Sequence, residues 1–292
     1  MANNSLVKTL ATTTFALFAF AANSIFCRLA LGEISIDASS FTIIRLFSGA
    51  VVLVIIMKLS GEQKTPGHKG SWKAASMLFI YASTFSFAYL SLDTGTGALI
   101  LFGAVQLTMI TMALISGDRL NSAEWTGVSI AFAGFVVLVL PSVTTPSFAG
   151  FLLMTIAGIA WGIYTLKGRQ SKSPLSDTTY NFIRTLPLIA VMGLLFIQNT
   201  FLTPKGILLA VLSGAVASGI GYTIWYIALG GLTATLAALT QLLVPVIAAL
   251  GGVMFVSESL SFRFLVSASM ILGGIALVVF GKHNFANTRV SK

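Results

Sequence analysis

The chain is 292 residues long, 56% apolar and only 9% charged, where a soluble domain carries about 25% charged residues. With a mean hydropathy of +0.95 there is too little polar surface to coat a water-soluble fold of this size, and too much apolar surface for disorder. These values exclude a soluble enzyme as the starting point and imply an all-α polytopic integral membrane protein.

A helix needs about 20 apolar residues to cross a hydrocarbon layer about 30 Å thick. In chain order this rule predicts helices near 9–30, 37–57, 73–92, 96–116, 124–141, 148–166, 178–198, 206–229, 232–256 and 262–281. The first, preceded by Lys8, has signal-peptide features but is long for an h-region, so it is expected to stay as an uncleaved helix. Residues 74–117 carry only Asp93, and the turn Asp93-Thr94-Gly95 divides them. The charge-free stretch 125–166 is interrupted between Pro141 and Pro146. Residues 206–257 would run about 75 Å as one helix, so Gly230-Gly231 is expected to break them.

Ten spans put both termini on one side. Twelve of the 17 Lys and Arg residues then fall on that side, and three (Arg28, Lys205 and Arg263) on the other. This asymmetry places both termini in the cytoplasm and explains the net charge of +9 by the membrane and not by nucleic acid. The single cysteine, Cys27, permits no intrachain disulfide, and both histidines, His68 and His283, lie in polar segments. No metal site and no cofactor are expected.

The halves, 1–141 and 142–292, match each other at an offset of about 138–140 residues. Ala22-Asn23-Ser24-Ile25-Phe26 lies over Ala160-Trp161-Gly162-Ile163-Tyr164, and Phe41-Thr42-Ile43-Ile44-Arg45 over Tyr180-Asn181-Phe182-Ile183-Arg184. Further along, Gly117 to Leu120 lies over Ser257 to Leu260, and Gly134 to Leu138 over Gly274 to Val278. Five helices per repeat is an odd number, so the second copy enters from the opposite face. Two inverted five-helix repeats are the build of many secondary transporters, with the substrate near the midplane.

These features resemble the drug/metabolite transporter superfamily, EamA type, over essentially the full length. The resemblance rests on Gly117-Asp118-Arg119-Leu120, Gly127, Gly134, Pro245, Glu258 through Leu260 and Gly273-Gly274. The chain departs from the family pattern at Val105, where the first half has a proline, and at Asp118, Ser257 and Ser259. Its overall character is similar to the YddG-type amino-acid exporters of that superfamily. The resemblance implies a cavity between helices 1–4 and 6–9, with helices 5 and 10 peripheral.

Arg45 and Arg184 are the basic residues that fall well inside spans, where an unpaired charge is costly. Depth along the helices predicts two symmetry-related ion pairs, Arg45–Glu258 and Arg184–Asp118. These serve as structural pairs, as a gate, or as handles for a substrate carboxylate. Asn23, Gln106 and Gln241 sit near mid-span and must face the interior, either bonding neighbouring helices or lining a cavity. Tyr81, Phe85, Trp161, Tyr222 and Ser218 are candidates for the same lining, with core packing as the alternative for the aromatic residues. Pro245 and Pro187 are candidate hinges.

No Asp, Glu, His or Lys lies at mid-span, which leaves a proton without an obvious carrier. No protease constellation or Walker A motif is present, so the chain is not expected to be an enzyme or an ATP-driven pump. The expectation is a facilitated exporter of small metabolites, foremost amino acids, working in lipid as a monomer. A broad-selectivity drug/metabolite exporter coupled to protons and a non-transporting receptor or scaffold are the alternatives.

Overall fold

The computed structural model describes residues 2–61, 69–117, 122–139, 146–168, 171, 173–229, 231–232, 237 and 240–290. Among these the structure is all-helical; the one extended pairing is an isolated antiparallel bridge, Ile36 to Leu202. Ten helices are described: α1 Ala2–Gly32, α2 Ala38–Ser60, α3 Trp72–Ala88, α4 Thr94–Ile115, α5 Ser122–Val139, α6 Phe148–Gly168, α7 Pro174–Phe196, α8 Pro204–Leu229, α9 Leu243–Val256 and α10 Phe262–Val290. Seven of them contain stretches long and apolar enough to cross a bilayer, and α5 and α9 are shorter apolar helices. Hydrocarbon offers no partner for backbone N–H and C=O groups, which is why an apolar chain resolves into helices.

Local chemistry sets most of the ends. Asp37 caps α2 by accepting from the Ser40 N–H at 2.9 Å, and Gly61 closes that helix at φ +71°. Ser71 caps α3, and Thr203 caps α8 ahead of Pro204. Several expected boundaries move: α1 starts at Ala2 and not near 9, and α10 runs to Val290 and not to 281. The third helix ends at Ala88 rather than near 92, because the chain turns over 89–92 before α4. In the ninth, Ala237, Thr240 and Gln241 are helical, a turn at Leu242 interrupts, and α9 runs from Leu243. Pro245 has no N–H for the Gln241 carbonyl, so the ladder fails one turn before the proline. Pro245 is therefore buried in the first turn of α9 and not in the middle of a continuous helix.

α1 packs against α8 and α9, and α6 packs against α3 and α4. α2 lies on α7, α4 on α9, and α5 chiefly on α10. The α5–α10 crossing is close because glycines face backbone. A Cβ on Gly274 would stand 2.5 Å from the Gly127 carbonyl oxygen and 2.6 Å from the Ala131 nitrogen. A Cβ on Gly134 would stand 2.8 Å from Ile271.

The two faces of the bundle are each tied across the chain. On the face away from the termini, the Phe201 N–H donates to Asp37 Oδ2 at 2.9 Å and the Asp37 N–H donates to the Phe201 carbonyl at 3.1 Å. Thr203 donates its N–H and its hydroxyl to the Ser35 carbonyl, at 3.1 and 2.7 Å, and Lys205 pairs with Glu33. On the terminal face, the Gly70 N–H donates to Asp177 Oδ1 at 2.8 Å and the Ser71 N–H to Asn181 Oδ1 at 2.9 Å. Gly70 is required there: its φ is +63°, and a Cβ would stand 2.3 Å from Asn181 Oδ1.

Burial alone would raise the Asp37 carboxyl, but hydrogen bonds from Ser39, Ser40 and Phe201 outweigh it and hold the group below its ordinary value of 3.8. The contribution of the ionised tie is complete above that ordinary value and is lost as pH falls through the lowered one. Asp37→Asn should lower the melting temperature in detergent at neutral pH, and the gap to wild type should close below about pH 4. Gly274→Ala should cost about 1–3 kcal/mol through backbone clash. Gly273→Ala, whose Cβ would meet nothing within 4 Å, should keep or slightly raise the melting temperature.

Candidate functional site

The site is built around a buried cation. Arg45, about two turns into α2, is 1% exposed. Its Nη2 donates to the Tyr81 hydroxyl at 2.8 Å, and its guanidinium carbon lies 5.0 Å from the Tyr81 ring centre and 4.9 Å from that of Phe85. Ring faces attract a cation but do not neutralise it. Arg45 Nε and Nη1 are buried without a hydrogen-bond partner.

The Tyr81 oxygen also accepts from Asn23 Nδ2 at 3.2 Å, and Asn23 Oδ1 accepts from the Ser213 hydroxyl at 2.5 Å. This chain links α2, α3, α1 and α8. Ser213 belongs to a π-helical segment, Leu212–Ile220, inside α8. Its neighbour Gly214 lets that segment meet α2, since a Cβ there would stand 2.0 Å from the Arg45 carbonyl oxygen. Irregular helical turns of this kind recur at functional sites.

Beside this polar chain stands a cage of rings. Trp161 lies 4.8 Å from Tyr81 and 4.8 Å from Tyr222, and stacks on Tyr164 at 5.4 Å. Phe20 closes the cage against Tyr222 and Trp225 at 5.9 and 5.7 Å. The space inside, bordered also by Asn23, Phe85, Leu101 and Ala217, is about 10 Å³, enough for roughly one water. Larger clefts open at the two faces: about 290 Å³ beside Asp93 and Glu258, and about 190 Å³ beside Asp177 and Tyr226. The centre is thus closed while both ends are indented.

Of the residues singled out in the sequence, Asn23, Tyr81, Phe85, Trp161 and Tyr222 meet at this space. Ser218 is buried in the π segment one turn before Tyr222. Gln106 and Gln241 are buried but do not border the cavity. Pro187 is exposed inside α7. Phe20 and Ser213 were not anticipated. Phe20 is one turn before Asn23 on α1, so helical spacing carries that signal, whereas Ser213 shows none.

The expected Arg45–Glu258 ion pair is not formed. Glu258 accepts from Arg28 Nε at 3.0 Å and, with both oxygens, from the Thr94 N–H at 3.0 and 2.9 Å. The chain turns back at Ser257, which has φ +57°, and lays the carboxylate on the N-terminus of α4, where the free N–H groups and the helix dipole favour an anion. Arg28 completes the cluster with Asp93 at 3.6 Å and the Tyr89 carbonyl at 3.3 Å. Arg184 donates to the Lys69 and Tyr180 carbonyls instead of reaching mid-membrane. Asp118, its expected partner, lies outside the described residues.

Residues 148–280 match the EamA-like transporter family. The chain is 46% identical over 272 residues to an uncharacterized protein of Pseudomonas aeruginosa, covering 93% of this chain and 94% of that one. It is 24% identical to an uncharacterized transporter of Archaeoglobus fulgidus, across 90% and 94% of the two chains. It is 26% identical to a probable amino-acid metabolite efflux pump of Salmonella typhimurium, across 72% and 76%. A solved crystal structure at 20% identity shares the fold with a TM-score of 0.63, covering 91% of this chain and 96% of that one. With its apolar helices and enclosed centre, the chain belongs to the EamA-like transporter family of membrane proteins.

Proposed function

We propose that the protein exports small organic metabolites, foremost amino acids including aromatic ones, by facilitated alternating access across a bacterial inner membrane. The observation that carries this reading is the closed aromatic cavity, set between two faces that are tied shut by the same device. Relatives named as probable amino-acid metabolite efflux pumps support the direction and the substrate class.

Alternating access rests on two inverted five-helix repeats, 1–141 and 142–292. Their support is the pairing of equivalent contacts. Asp37 and Asp177, 140 positions apart, each accept an N–H from a loop of the other half, at opposite faces. Gly134 meets Ile271 as Gly274 meets Ala131. α1 lies on α8 and α9 as α6 lies on α3 and α4. Near-equivalent halves give two near-equivalent arrangements, and releasing one tie at a time opens one face at a time. The Lys and Arg asymmetry puts the Asp177 tie on the cytoplasmic face with both termini.

Facilitated movement follows from where the acids are. Among the described residues, Glu33, Asp37, Asp93, Glu124, Asp177 and Glu258 all sit at helix ends or in turns, so no carboxylate borders the cavity to carry a proton. A broad-selectivity exporter coupled to protons is the competing view.

Proteoliposomes loaded with labelled phenylalanine, tryptophan and leucine should release them through the protein at a rate indifferent to an imposed pH gradient. Release that needs the gradient would favour proton coupling, and no release of any solute would favour a scaffold. The ties can be tested separately through Cys27, which is fully buried on α1 toward the non-terminal face. Asp37→Ala should speed its labelling by an impermeant maleimide added at that face severalfold, and Asp177→Ala should not.

A further inference from the structure

We propose that Arg45 is the carboxylate-binding residue of the central cavity, and that the cavity selects its solute by the carboxylate and not by the ammonium. This rests on the export reading for the identity of the site, and deepens it by naming the group that is recognised.

Charge at the centre of the bundle is unbalanced. Arg45 is permanently ionised and fully buried. Its expected acidic partner is held by Arg28 and by the start of α4. Two of its three nitrogens, Nε and Nη1, have no hydrogen-bond partner. Buried donors on a cation without an acceptor are costly, and an arriving anion removes that cost.

The third nitrogen adds to the design. Arg45 Nη2 and Asn23 Nδ2 both donate to the Tyr81 oxygen, so the Tyr81 proton must point to another acceptor. Tyr81 borders the cavity, and Arg45 stands behind it, off the lining of this closed space. A carboxylate entering there meets a hydroxyl donor backed by a guanidinium, with further N–H groups behind it. Farther along the cavity Trp161, Tyr222 and Phe20 present ring surface to an aromatic or large apolar side chain. No acidic side chain among the described residues borders the cavity to receive an ammonium; it is offered ring faces and the neutral oxygens of residues such as Asn23 and Ser24. The class that fits is an amphiphilic monocarboxylate, of which an aromatic amino acid is one member and its deaminated analogue another.

Purified full-length protein separates the possibilities by thermal stabilisation with phenylalanine, 3-phenylpropionate (carboxylate without ammonium) and phenethylamine (ammonium without carboxylate). The two carboxylates should raise the melting temperature and phenethylamine should not. Arg45→Gln should weaken the apparent affinity for both carboxylates about tenfold or more. Tyr81→Phe, which keeps the ring and the fold, should weaken it about three- to tenfold. Stabilisation by phenethylamine equal to that by 3-phenylpropionate, no stabilisation by either carboxylate, or folded variants with unchanged affinity would each overturn the proposal. If the carboxylates bind while proteoliposomes release nothing, the site stands and the export reading falls. Release that proceeds with equal preference for the amine leaves export standing and removes the carboxylate site.

Discussion

A guanidinium with no carboxylate beside it among the described residues, enclosed at the heart of a low-dielectric bundle, is the constraint around which the rest of this structure is arranged. Such a group cannot shed its charge, so its surroundings must supply attraction without neutralisation. Tyr81 and Phe85 do so with their ring faces, and the Tyr81 hydroxyl with one hydrogen bond. Two nitrogens stay unmatched. The helices that meet here are those whose side chains serve that end. α1 brings Asn23, α3 brings Tyr81 and Phe85, and α8 widens into a π segment that lays Ser213 and Gly214 against α2.

The ends of the bundle obey different physics. Near the faces, backbone N–H groups of loops are available as donors, and carboxylates there can stay ionised. Asp37, Asp177 and Glu258 all use that chemistry, each accepting from a backbone N–H of a distant segment. These bonds to charged acceptors are individually worth about 1.5–3 kcal/mol, weak enough to exchange and directional enough to hold a face closed. The α5–α10 pair is joined through facing glycines and backbone. It is a packed unit at the side of the cavity, in keeping with its contacts being chiefly internal.

Much of the cavity was legible in the sequence because mid-span polar and aromatic residues in hydrocarbon have few places to go. Asn23, Tyr81, Phe85, Trp161 and Tyr222 were identified by depth alone, and they meet. Depth failed for charges. Arg28 and Arg45 both lie toward the non-terminal face on neighbouring helices, and both carry the right sign for Glu258. Only the reversal of the chain at Ser257 and the position of α4's first N–H decide that Arg28 is the partner. Gln106 and Gln241 are buried as expected and stand off the cavity: depth says that an amide is inside the bundle, not which interhelical seam it enters.

Composition, charge-free lengths and Lys/Arg asymmetry determined by themselves that the chain is a ten-helix membrane protein, because transfer of apolar residues and backbone into hydrocarbon depends on local sequence alone. The tertiary structure decided which residues within that frame act together. It chose the partner of Glu258, isolated Arg45 among rings, placed the helix break at Leu242, just before α9, and closed both faces with carboxylates that cap and clasp loops. Those outcomes depend on distances between segments far apart in the chain, which no local pattern encodes.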